Sequence, residues 1–390
     1  MHLLTKFNTN KPLLFFCGSF LTHEGLKNYK GETPAATIWI KGLLSGISDN
    51  GIAVKCFSPI WDSLFPKGKL FPGKQKYLDP IITQVLIRYL NLPFFRTFSV
   101  IYSLERNIIK AIKGGDKPIA ILNYNTYPYY CRALKKISRK YPDIPWVNVV
   151  LDLDDPTKDN WARFLKDTIG SKASIFLSWW GFQNAPIRNK LHLDGGWHGE
   201  LPIIQKNGNK ILLYAGKFAK FGGIQDIIDA IEIFPLEDVI FEFYGKDYYQ
   251  PLTDLAIRDK RVHIMGFVSD EQLNRACMNA TAFLSPREID FQGTRMIFPS
   301  KILFYLKFQK PILSAMLPGL SPEYKEVLIA PLNNTPNDWA LTMEKIIRFS
   351  EDDLTLIAEK SRKLLEKKKW ENQAASLLKF MDKIKKLQSK

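Results

Sequence analysis

The segment Phe298-Pro299-Ser300-Lys301 decides the fold. It opens a predicted helix, Ser300 to Phe308, and this helix leads into a predicted short strand, Pro311 to Ser314. Just upstream, the apolar run Ala282 to Ser285 predicts another strand, which ends in Pro286-Arg287. A helix between two short apolar strands is the repeating unit of a parallel α/β sheet. The segment therefore marks one crossover in such a sheet.

Outward from this segment, short apolar runs alternate with helical segments through most of the chain, which predicts two Rossmann-like halves. Ser269 or Asp270 can cap one of the helices. In the first half we predict strands at Leu13 to Cys17, Ala53 to Ser58, Ala120 to Tyr124, Trp146 to Leu151 and Ser174 to Ser178, with a helix at Pro34 to Gly46. In the second half we predict strands at Lys210 to Ala215, Val239 to Tyr244 and Arg261 to Met265, and helices at Ile224 to Ile233 and Asp270 to Met278.

The length of 390 residues exceeds what one hydrophobic core usually supports, so two domains are expected. Glycine-rich turns between Gly195 and Asn209 mark the natural linker. We place one Rossmann-like domain at residues 1–198 and a second at residues 199–365. The remaining basic segment, 366–390, is helical in character and has no strand after it. We therefore expect it to pack on the outside of the lobes.

The formal net charge of +16 implies a polyanionic neighbour. Basic and aromatic residues interleave between Phe65 and Lys113, and lysines also crowd the end of the chain, from Lys360 to Lys390. The first cluster suits an anionic membrane face, although solvated charges over core aromatics explain the same pattern. Only the charge supports a nucleic-acid partner, so none is expected. The first cluster comprises Lys67, Lys69, Lys74, Lys76, Arg88, Arg96, Arg106, Lys110 and Lys113, interleaved with Phe65, Phe71, Tyr77, Phe94, Phe95, Phe98 and Tyr102.

The stretch Ile81 to Leu104 is the most apolar in the chain. Arg88, Pro93 and Arg96 interrupt it well short of the roughly 20 apolar residues that a spanning helix needs. We predict a pair of amphipathic helices broken at Pro93. The apolar run Leu13 to Cys17 is too short for a signal-peptide core. We therefore expect a cytoplasmic protein, with a peripheral position at the inner face of the cell membrane as the variant of this expectation.

Metal and disulfide chemistry find little support in the sequence. The cysteines Cys17, Cys56, Cys131 and Cys277 lie far apart, which argues against a zinc site and a disulfide framework. The five histidines form no i,i+4 pair and no visible ligand set. Three of the cysteines lie in apolar strand-like or helical contexts, where a small buried hydrophobe is expected, and a reducing compartment fits this pattern.

Polar loops follow several of the predicted second-half strands. One loop, Gly216 to Gly223, joins glycines to two lysines just before a helix, and another, Gly245-Lys246-Asp247, follows the next strand. In doubly wound sheets, ligands bind beyond the carboxyl ends of the strands, where loop and helix-start N–H groups meet phosphate. The glycine loop lacks the spacing of a Walker or dinucleotide motif, and such turns are common in purely structural roles.

Five short motifs, in this order and spacing, resemble the C-terminal domain of the GT-B glycosyltransferases of family 4, also called group 1. The similarity covers Lys210 to Leu317 well and the first half more loosely. It implies an α/β GT-B fold, in which an N-terminal acceptor-binding domain and a C-terminal nucleotide-sugar-binding domain, both Rossmann-like, face each other across a cleft. The motifs are Tyr214-Ala215-Gly216, Gly223-Ile224, Ser285-Pro286-Arg287, Phe298-Pro299-Ser300-Lys301 and Tyr305-Leu306.

The resemblance assigns a donor site to the second half. It implies that Lys217 and Lys220 neutralise the donor diphosphate, with Arg287 as a third cationic donor. Plain surface lysines, and an Arg287–Glu288 pair, are the alternatives. The resemblance also implies that backbone groups of the turn after the strand Arg261 to Met265 hold the nucleotide base of the donor. The N-terminal amides of the helix that begins at Ser300 would bind the donor phosphates. The remaining donor-binding candidates are Gly216, Gly245, Phe267, Val268, Ser300 and Lys301.

Two first-half loops match loops of the family. The resemblance implies that the first faces the donor phosphate and the acceptor, and that the second supplies a polar residue beside the reacting sugar. Thr33 lies in the first of them, and Asp152 in the second. The resemblance makes Asp152 a catalytic candidate beside Lys217 and Arg287, although this acid can instead cap the turn that follows. Asp152-Leu153-Asp154 also has the Asp-x-Asp form of metal-dependent transferases. The family is metal-independent, so no metal is expected.

Phe304 departs from the family, whose members usually carry a glutamate there that hydrogen-bonds the nucleotide ribose. A phenyl ring cannot accept such a bond. Either another group does this work, or the donor sits differently, or this member is weakened or inactive. Lys307-Phe308-Gln309 likewise replaces small residues and a glycine, and this bulk is expected to narrow the site.

The resemblance implies a glycosyltransferase of hexosyltransferase type, which moves a sugar from a nucleotide diphosphate donor to a glycan or lipid-linked acceptor in surface polysaccharide biosynthesis. Retention of configuration is expected. No cofactor is expected beyond the donor itself, with UDP and GDP left open. A sugar-nucleotide epimerase of the same fold and a non-catalytic GT-B partner protein, the latter motivated by Phe304, are the alternatives.

Overall fold

The structure, a computed structural model, describes residues 12–21, 34–73, 82–151, 153, 158–202, 208, 210–289 and 293–388. The chain divides into two compact units. The first comprises Met1–Leu177, Gly181–His198 and Lys369–Lys390. The second comprises Ser178–Trp180 and Gly199–Lys368. The last helix of the chain therefore belongs to the first unit.

A parallel seven-stranded sheet forms the centre of the first unit. Its buried strands are apolar on both faces, as expected for a parallel sheet that is covered on both sides. The strands are β1 (Leu13–Cys17), β2 (Ala53–Ser58), β3 (Thr83–Leu86), β4 (Pro118–Tyr124), β5 (Trp146–Val150), β6 (Ala173–Phe176) and β7 (Lys190–His192). Their order across the sheet is β3-β2-β1-β4-β5-β6-β7, with every neighbouring pair parallel.

The longer helices between these strands bury an apolar stripe. In the helix Pro128–Lys140, proline occupies the first helical turn, and Tyr130, Leu134 and Ile137 lie on the buried face at i, i+4 and i+7. The helices are α1 (Pro34–Asp49), α2 (Arg96–Lys113), α3 (Pro128–Lys140), α4 (Lys158–Asp167) and α5 (Trp179–Asn184). The predicted helix from Pro34 is thus confirmed over a longer range.

The prediction of two amphipathic helices across Ile81 to Leu104 is wrong in its first half. Thr83–Leu86 is a strand that pairs in parallel with β2, so that Lys55 lies opposite Thr83. The free edge of β2 offers hydrogen bonds along its whole length, and a short run with the β-branched residues Thr83 and Val85 can take them. The helix begins only at Arg96, beyond Pro93.

A parallel five-stranded sheet forms the second unit, in the order β10-β9-β8-β11-β12. All five predicted strands are confirmed, and their ends differ by at most one residue from the prediction. The strands are β8 (Lys210–Ala215), β9 (Val239–Tyr244), β10 (Val262–Gly266), β11 (Ala282–Ser285) and β12 (Ile312–Ser314). The helices are α6 (Ile224–Glu232), α7 (Gln250–Arg258), α8 (Asp270–Asn279), α9 (Lys301–Leu306), α10 (Pro336–Ile347) and α11 (Glu351–Lys367).

The last helix, α12 (Trp370–Gln388), packs on α1 within the first unit. The Trp370 ring meets the Trp39 ring edge to face, with 5.7 Å between the ring centroids. The Asn50 side-chain amide donates to the Glu371 carbonyl over 3.0 Å. Aromatic contact and hydrogen bonding together fasten the end of the chain to the first unit.

The four cysteines are all free and buried, one more than the three for which burial was predicted. Burial raises the pKa of Cys56 to about 12, so this thiol stays protonated and packs as a small hydrophobe. In the described ranges, no three metal-ligating side chains come together, and Asp152 and Asp154 lie outside those ranges. Within the same ranges, no helix is long and apolar enough to cross a membrane.

Candidate functional site

The candidate site lies in the second unit, at the carboxyl ends of its central strands. Loops follow β8 from Gly216, β9 from Gly245 and β11 from Pro286. Because β9, β8 and β11 are neighbours in a parallel sheet, their carboxyl ends meet at one edge. The start of α9 adds Lys301 to this cluster, since its ammonium lies over the ring of Tyr214 in β8. The topology thus brings many of the predicted donor-binding residues to one edge of the sheet.

Gly223 allows the β8 loop to touch the β11 loop. It follows a 3-10 turn, Lys220–Gly222, and its φ of +74° is left-handed. A Cβ atom at this position would lie 2.4 Å from the backbone nitrogen of Arg287 and 2.7 Å from its Cα. Only glycine provides both the conformation and the space. The Gly223-Ile224 motif therefore sets the position of the Arg287 backbone.

Replacing Gly223 with alanine is expected to destabilise the second unit and to displace Arg287. The left-handed conformation alone costs an L-residue about 1–2 kcal/mol, and the clash with Arg287 adds to it. Gly115→Ala is the matched control, because Gly115 has φ +104° but no atom lies within 4 Å of the position that a Cβ would take there. Urea unfolding should show a clearly larger loss for Gly223→Ala; equal losses would mean that the loop contact is unimportant.

Gly245 closes a second approach, between the ends of β8 and β9. Its N–H donates to the Gly266 carbonyl over 2.9 Å, and the Gly216 N–H donates to the Tyr244 carbonyl over 2.8 Å. A Cβ atom on Gly245 would lie 1.8 Å from the Gly216 oxygen. Backbone hydrogen bonds therefore join the carboxyl ends of β8, β9 and β10. The predicted residues Gly216 and Gly245 lie in contact.

Two tyrosines hold the start of α9 and the β8 loop in place. The Tyr305 hydroxyl accepts from the Ala215 N–H over 2.7 Å, and the Tyr305 ring stacks on Phe283 with 4.5 Å between ring centroids. The Tyr214 hydroxyl donates to the Lys217 carbonyl over 2.8 Å. Burial raises the pKa of Tyr214 to about 12, so this donor keeps its proton. Both tyrosines belong to the motifs that the sequence singled out.

The Arg287 side chain carries a hydrogen-bond donor that the described residues leave without an acceptor. Its Nε is buried and has no hydrogen-bond partner among the described residues. It forms no ion pair with Glu288, so the pairing considered from the sequence does not occur. Its guanidinium lies 5.7 Å from the centroid of the Phe221 ring. Burial lowers the pKa of Arg287, while Tyr214 acts in the opposite direction.

Lys301 is a second cation without an anionic partner in the described part of the chain. Its ammonium lies 4.5 Å from the centroid of the Tyr214 ring. Burial, and then the neighbouring charge of Arg287, lower the pKa of Lys301 from 10.5 to about 7. The charges of Arg287 and Lys301 repel each other in a half-buried site, and a bound anion would stabilise both charged forms.

Lys217 is exposed and lies at the rim of the same cluster. Its ammonium is 5.8 Å from the Phe221 ring centroid, and Arg287 approaches the same ring. The Asp247 carboxylate lies 3.7 Å from the Lys217 ammonium. Both side chains are exposed to solvent, so this ion pair contributes little to stability. Lys220 is exposed in the adjoining 3-10 turn, and its carbonyl accepts from the Gly223 N–H over 2.8 Å.

The turn after β10 and the start of α8 provide further candidates. Phe267 is exposed, and the Lys246 ammonium lies 3.8 Å from its ring centroid, so this ring is joined to the loop after β9. Val268 is half-buried. Ser269 caps α8 in a capping box with Gln272, which confirms one of the two predicted caps. Ser300 is exposed and makes no side-chain cap to α9.

Phe304 packs within α9 and its continuation, and provides no acceptor. Its ring lies 5.4 Å from the Phe308 ring centroid and 4.6 Å from the Lys307 ammonium. Phe308 is buried against Phe283, with 5.7 Å between the ring centroids. Gln309 is buried and left-handed at φ +53°, and it accepts a hydrogen bond from Arg362. The bulky residues of this segment are thus engaged in packing.

Two predicted residues, Thr33 and Asp152, lie outside the described residues. Phe221 and Lys246 also belong to the site, although no sequence pattern predicted a role for either. The Phe221 ring lies near the Arg287 guanidinium, and the Lys246 ammonium lies over the Phe267 ring. Phe221 stands within the loop that was singled out, but nothing in its spacing shows that two cations approach its ring. Lys246 directly follows Gly245, and its contact with Phe267 joins two loops that are distant in sequence.

Comparison with known proteins gives a clear result for the fold. No family model matches the sequence, and no curated protein matches it. Among solved structures, a glycosyltransferase from Rickettsia africae matches with a TM-score of 0.69 and 11% identity, over 96% of this chain and 99% of that one. The catalytic domain of starch synthase IV from Arabidopsis thaliana, bound to ADP and acarbose, matches with a TM-score of 0.67 and 9% identity, over 96% and 99% of the two chains.

A third structure, Anabaena HepE in complex with UDP and glucose, matches with a TM-score of 0.60 and 14% identity, over 95% of this chain and 99% of that one. At such identities, the similarity concerns the fold. The two parallel-sheet α/β units and these neighbours confirm the predicted GT-B fold with two Rossmann-like domains. Membership of family 4 remains a prediction.

Proposed function

We propose that the protein is a glycosyltransferase that uses a nucleoside diphosphate sugar as donor. The observation that supports this most is the pair formed by Arg287 and Lys301. Both are half-buried cations near the strand ends, and the buried Nε of Arg287 has no hydrogen-bond partner among the described residues. A diphosphate offers oxygens that accept from both groups at once. The fold neighbours add support, since HepE was solved with UDP and glucose, and starch synthase IV with ADP and acarbose.

In the proposed reaction, the bond between the anomeric carbon and the diphosphate oxygen breaks, and its electron pair leaves with the diphosphate. The acceptor hydroxyl bonds to the anomeric carbon, and its proton passes to the departing phosphate. Arg287, Lys217 and Lys301 would stabilise the charge that develops on the diphosphate. Lys220, the backbone of Gly216 and Gly245, and Ser300 would line the donor. The reaction would be retaining and need no metal.

Further residues complete the proposal. Phe267 and Val268 would contact the base, Thr33 would face the donor phosphate and the acceptor, and Asp152 would lie beside the reacting sugar. The donor would carry UDP or GDP, with a hexose as the transferred sugar. The acceptor would be a glycan or lipid-linked hydroxyl of a surface polysaccharide pathway, reached from the cytoplasmic face of a membrane. Membership of family 4 forms part of the same proposal.

A donor screen tests the proposal. Purified full-length protein is incubated with UDP- and GDP-sugars, with and without membrane extract, and released nucleoside diphosphate is measured. We expect one donor to give release that requires the extract as acceptor source. A free epimerised sugar nucleotide in the absence of extract would identify an epimerase instead. No heat of binding with any donor or nucleoside diphosphate in calorimetry would contradict donor use and favour the non-catalytic alternative.

A further inference from the structure

An exposed aromatic and basic face runs along α2 in the first unit. Its residues recur at intervals of three or four, which places them on one side of the helix. The opposite side carries Val100, Leu104 and Ile108, which are buried in the core. We call the exposed side, with the turn before it, the aromatic–basic face. It consists of Phe94, Phe95, Phe98, Tyr102, Arg106, Lys110 and Lys113.

The aromatic end of this face is exposed to an unusual degree. Phe94 is 92% exposed, Phe98 69% and Tyr102 65%. Phe71 from the preceding loop is also exposed, and Arg88 approaches its ring to 6.0 Å from the centroid. Large aromatic side chains that are exposed together on one side of a helix are typical of a binding surface. Solvated charge over core aromatics, the alternative left open by the sequence, does not describe these rings.

The backbone at Phe94 holds its ring outward at a cost. Phe94 has φ +64°, and the Phe95 N–H donates to the Pro93 carbonyl over 2.8 Å across a three-residue turn. A left-handed conformation is rare for a bulky side chain, and such strain persists only where the surroundings impose it. Glycine or asparagine would fit this position better. Retaining phenylalanine at an exposed, strained turn indicates a use for its ring.

A buried polar network fixes the loops beneath this face. Asn91 is fully buried, and its side-chain amide donates to the carbonyls of Ser63 and Lys69 over 2.7 and 2.9 Å. The Arg96 guanidinium donates to the Asp62 carbonyl over 3.1 Å and lies 4.7 Å from the Trp61 ring centroid. The loop that carries Phe71 is therefore tied to the start of α2. The exposed rings belong to a fixed surface.

The charge along the face is positive. Arg106, Lys110 and Lys113 are exposed and form no ion pair with any described residue. Between residues 61 and 113, the described acids are Asp62 and Glu105. The Asp62 carboxylate accepts from the Ser63 and Lys69 N–H groups, and Glu105 pairs with Lys136 over 3.0 Å. Both acids are thus engaged, and the three cations of α2 face solvent.

We infer that the aromatic–basic face docks the protein on an anionic lipid bilayer. Aromatic rings partition into the headgroup region, and lysine and arginine beside them meet anionic lipids. A second copy of this chain is disfavoured as the partner, because it would bring an equally basic face to the contact. The inference deepens the proposed function, because a protein bound to the bilayer can reach a lipid-linked acceptor. This link rests on the proposed function, whereas lipid binding itself can be measured without any donor.

Vesicle flotation with the full-length protein tests the inference. Vesicles contain either phosphatidylcholine alone or phosphatidylcholine and phosphatidylglycerol in equal parts, and donor and acceptor are absent. Binding is expected to the anionic vesicles and to fall with added salt. The triple change Arg106→Gln, Lys110→Gln and Lys113→Gln should weaken binding on the order of 100-fold, at about fivefold per charge.

The C-terminal helix offers a matched charge control. Lys379, Lys383 and Lys386 are also exposed along one helix side of the first unit. Changing these three lysines to glutamine removes the same charge, and binding should be nearly unchanged. Equal losses in the two triple variants would show that net charge alone attracts the protein, and would overturn the assignment of this face.

Phe94→Gly tests the aromatic component without threatening the fold. Glycine accepts the left-handed turn, so this variant should melt at the same or a higher temperature. Together with Phe98→Ser it should weaken binding to anionic vesicles by about tenfold or more, given the apolar area lost. Ile257→Ser with Leu332→Ser, at exposed positions of the second unit, is the control. Unchanged vesicle binding by the Phe94→Gly/Phe98→Ser protein, or none by the wild type, would overturn the inference. In that case an acidic protein surface becomes the partner to test.

The vesicle assay and the donor screen fail independently. No lipid binding by the wild type, with nucleoside diphosphate binding intact in calorimetry, would reject the docking face alone. Lipid binding without any donor use would instead reject the proposed transferase activity.

Discussion

Replacing Arg287 with alanine is expected to slow nucleotide release by about 100- to 1,000-fold, the usual effect of removing one preorganised donor to developing negative charge. Its guanidinium has a buried Nε without a described partner, and an incoming diphosphate would supply one. Calorimetry with the free nucleoside diphosphate should show weaker binding as well. Folding should change little, because Arg287 forms no ion pair with any described residue, so its removal leaves no described partner charge buried and unpaired.

Two further variants sharpen the Arg287 experiment. Arg275→Ala removes an exposed arginine that pairs with Glu271 on the surface of α8, and its turnover should equal that of the wild type. Arg287→Lys keeps the charge but loses the planar set of donors, so an intermediate rate is expected. If Arg287→Ala retained nearly normal turnover, the strand-end cluster would not be the donor site.

The sequence predicted the second unit well because its strands are short and mostly apolar, and the central ones, β9, β8 and β11, have a parallel neighbour on both sides. β8, β9 and β11 were predicted with their observed ends. The first unit was harder at its margin. Thr83–Leu86 is an edge strand of partly buried residues, and its neighbours on both sides are also apolar. Helical and extended interpretations of such a run differ only through the partner strand, which the local sequence does not reveal.

The site was predictable in its location but not in its energetics. Parallel topology places strand ends together, so motifs that follow the strands had to converge. The burial of Lys301 depends on a ring from Tyr214, and the isolation of Arg287 depends on where Gly223 puts its backbone. Both contacts join segments far apart in sequence, and no local pattern records them.

Gln309 illustrates a substitution whose reason only the structure gives. The family that the sequence resembles usually has small residues and a glycine in this segment, and the φ of +53° at Gln309 is a conformation that glycine adopts without strain. Here glutamine takes the same conformation, and its side chain accepts from Arg362 on α11. A tertiary hydrogen bond thus offsets a local conformational cost, and this compensation lies beyond local sequence patterns.

Lys301 should make donor binding depend on pH. In the free protein the pKa of Lys301 is about 7, because burial and Arg287 disfavour the ammonium. A bound diphosphate favours the ammonium, so above that pKa the lysine must take up a proton as the ligand binds. Nucleoside diphosphate affinity should therefore fall as the pH rises above 7, by up to about tenfold per pH unit.

Lys301→Met should remove this extra slope. The ionisation of the diphosphate itself contributes equally to both proteins, so the difference between their pH profiles reports Lys301. Lys310→Met is the matched control, since the pKa of Lys310 is also lowered by burial, to about 8, but its ammonium donates to carbonyls near the end of α8, including that of Cys277 over 3.4 Å. That variant should keep the wild-type slope. Identical profiles for the wild type and Lys301→Met would place the diphosphate elsewhere.

The same group has a stability consequence of opposite sense. A lysine whose pKa is lowered on folding destabilises the folded state when it is charged, and unfolded Lys301 binds its proton more tightly. Its contribution to stability therefore rises with pH between the folded and unfolded pKa values, and the penalty is fully present below pH 7. Lys301→Met should raise the melting temperature, and more so at acidic than at alkaline pH. A variant that binds donor worse yet folds better would mark Lys301 as a residue retained for ligand binding at the expense of stability. In an Arg287→Ala background the repulsion on Lys301 is gone, so the midpoint of the pH profile should move upward; an unmoved midpoint would show that the charge of Arg287 does not act on Lys301.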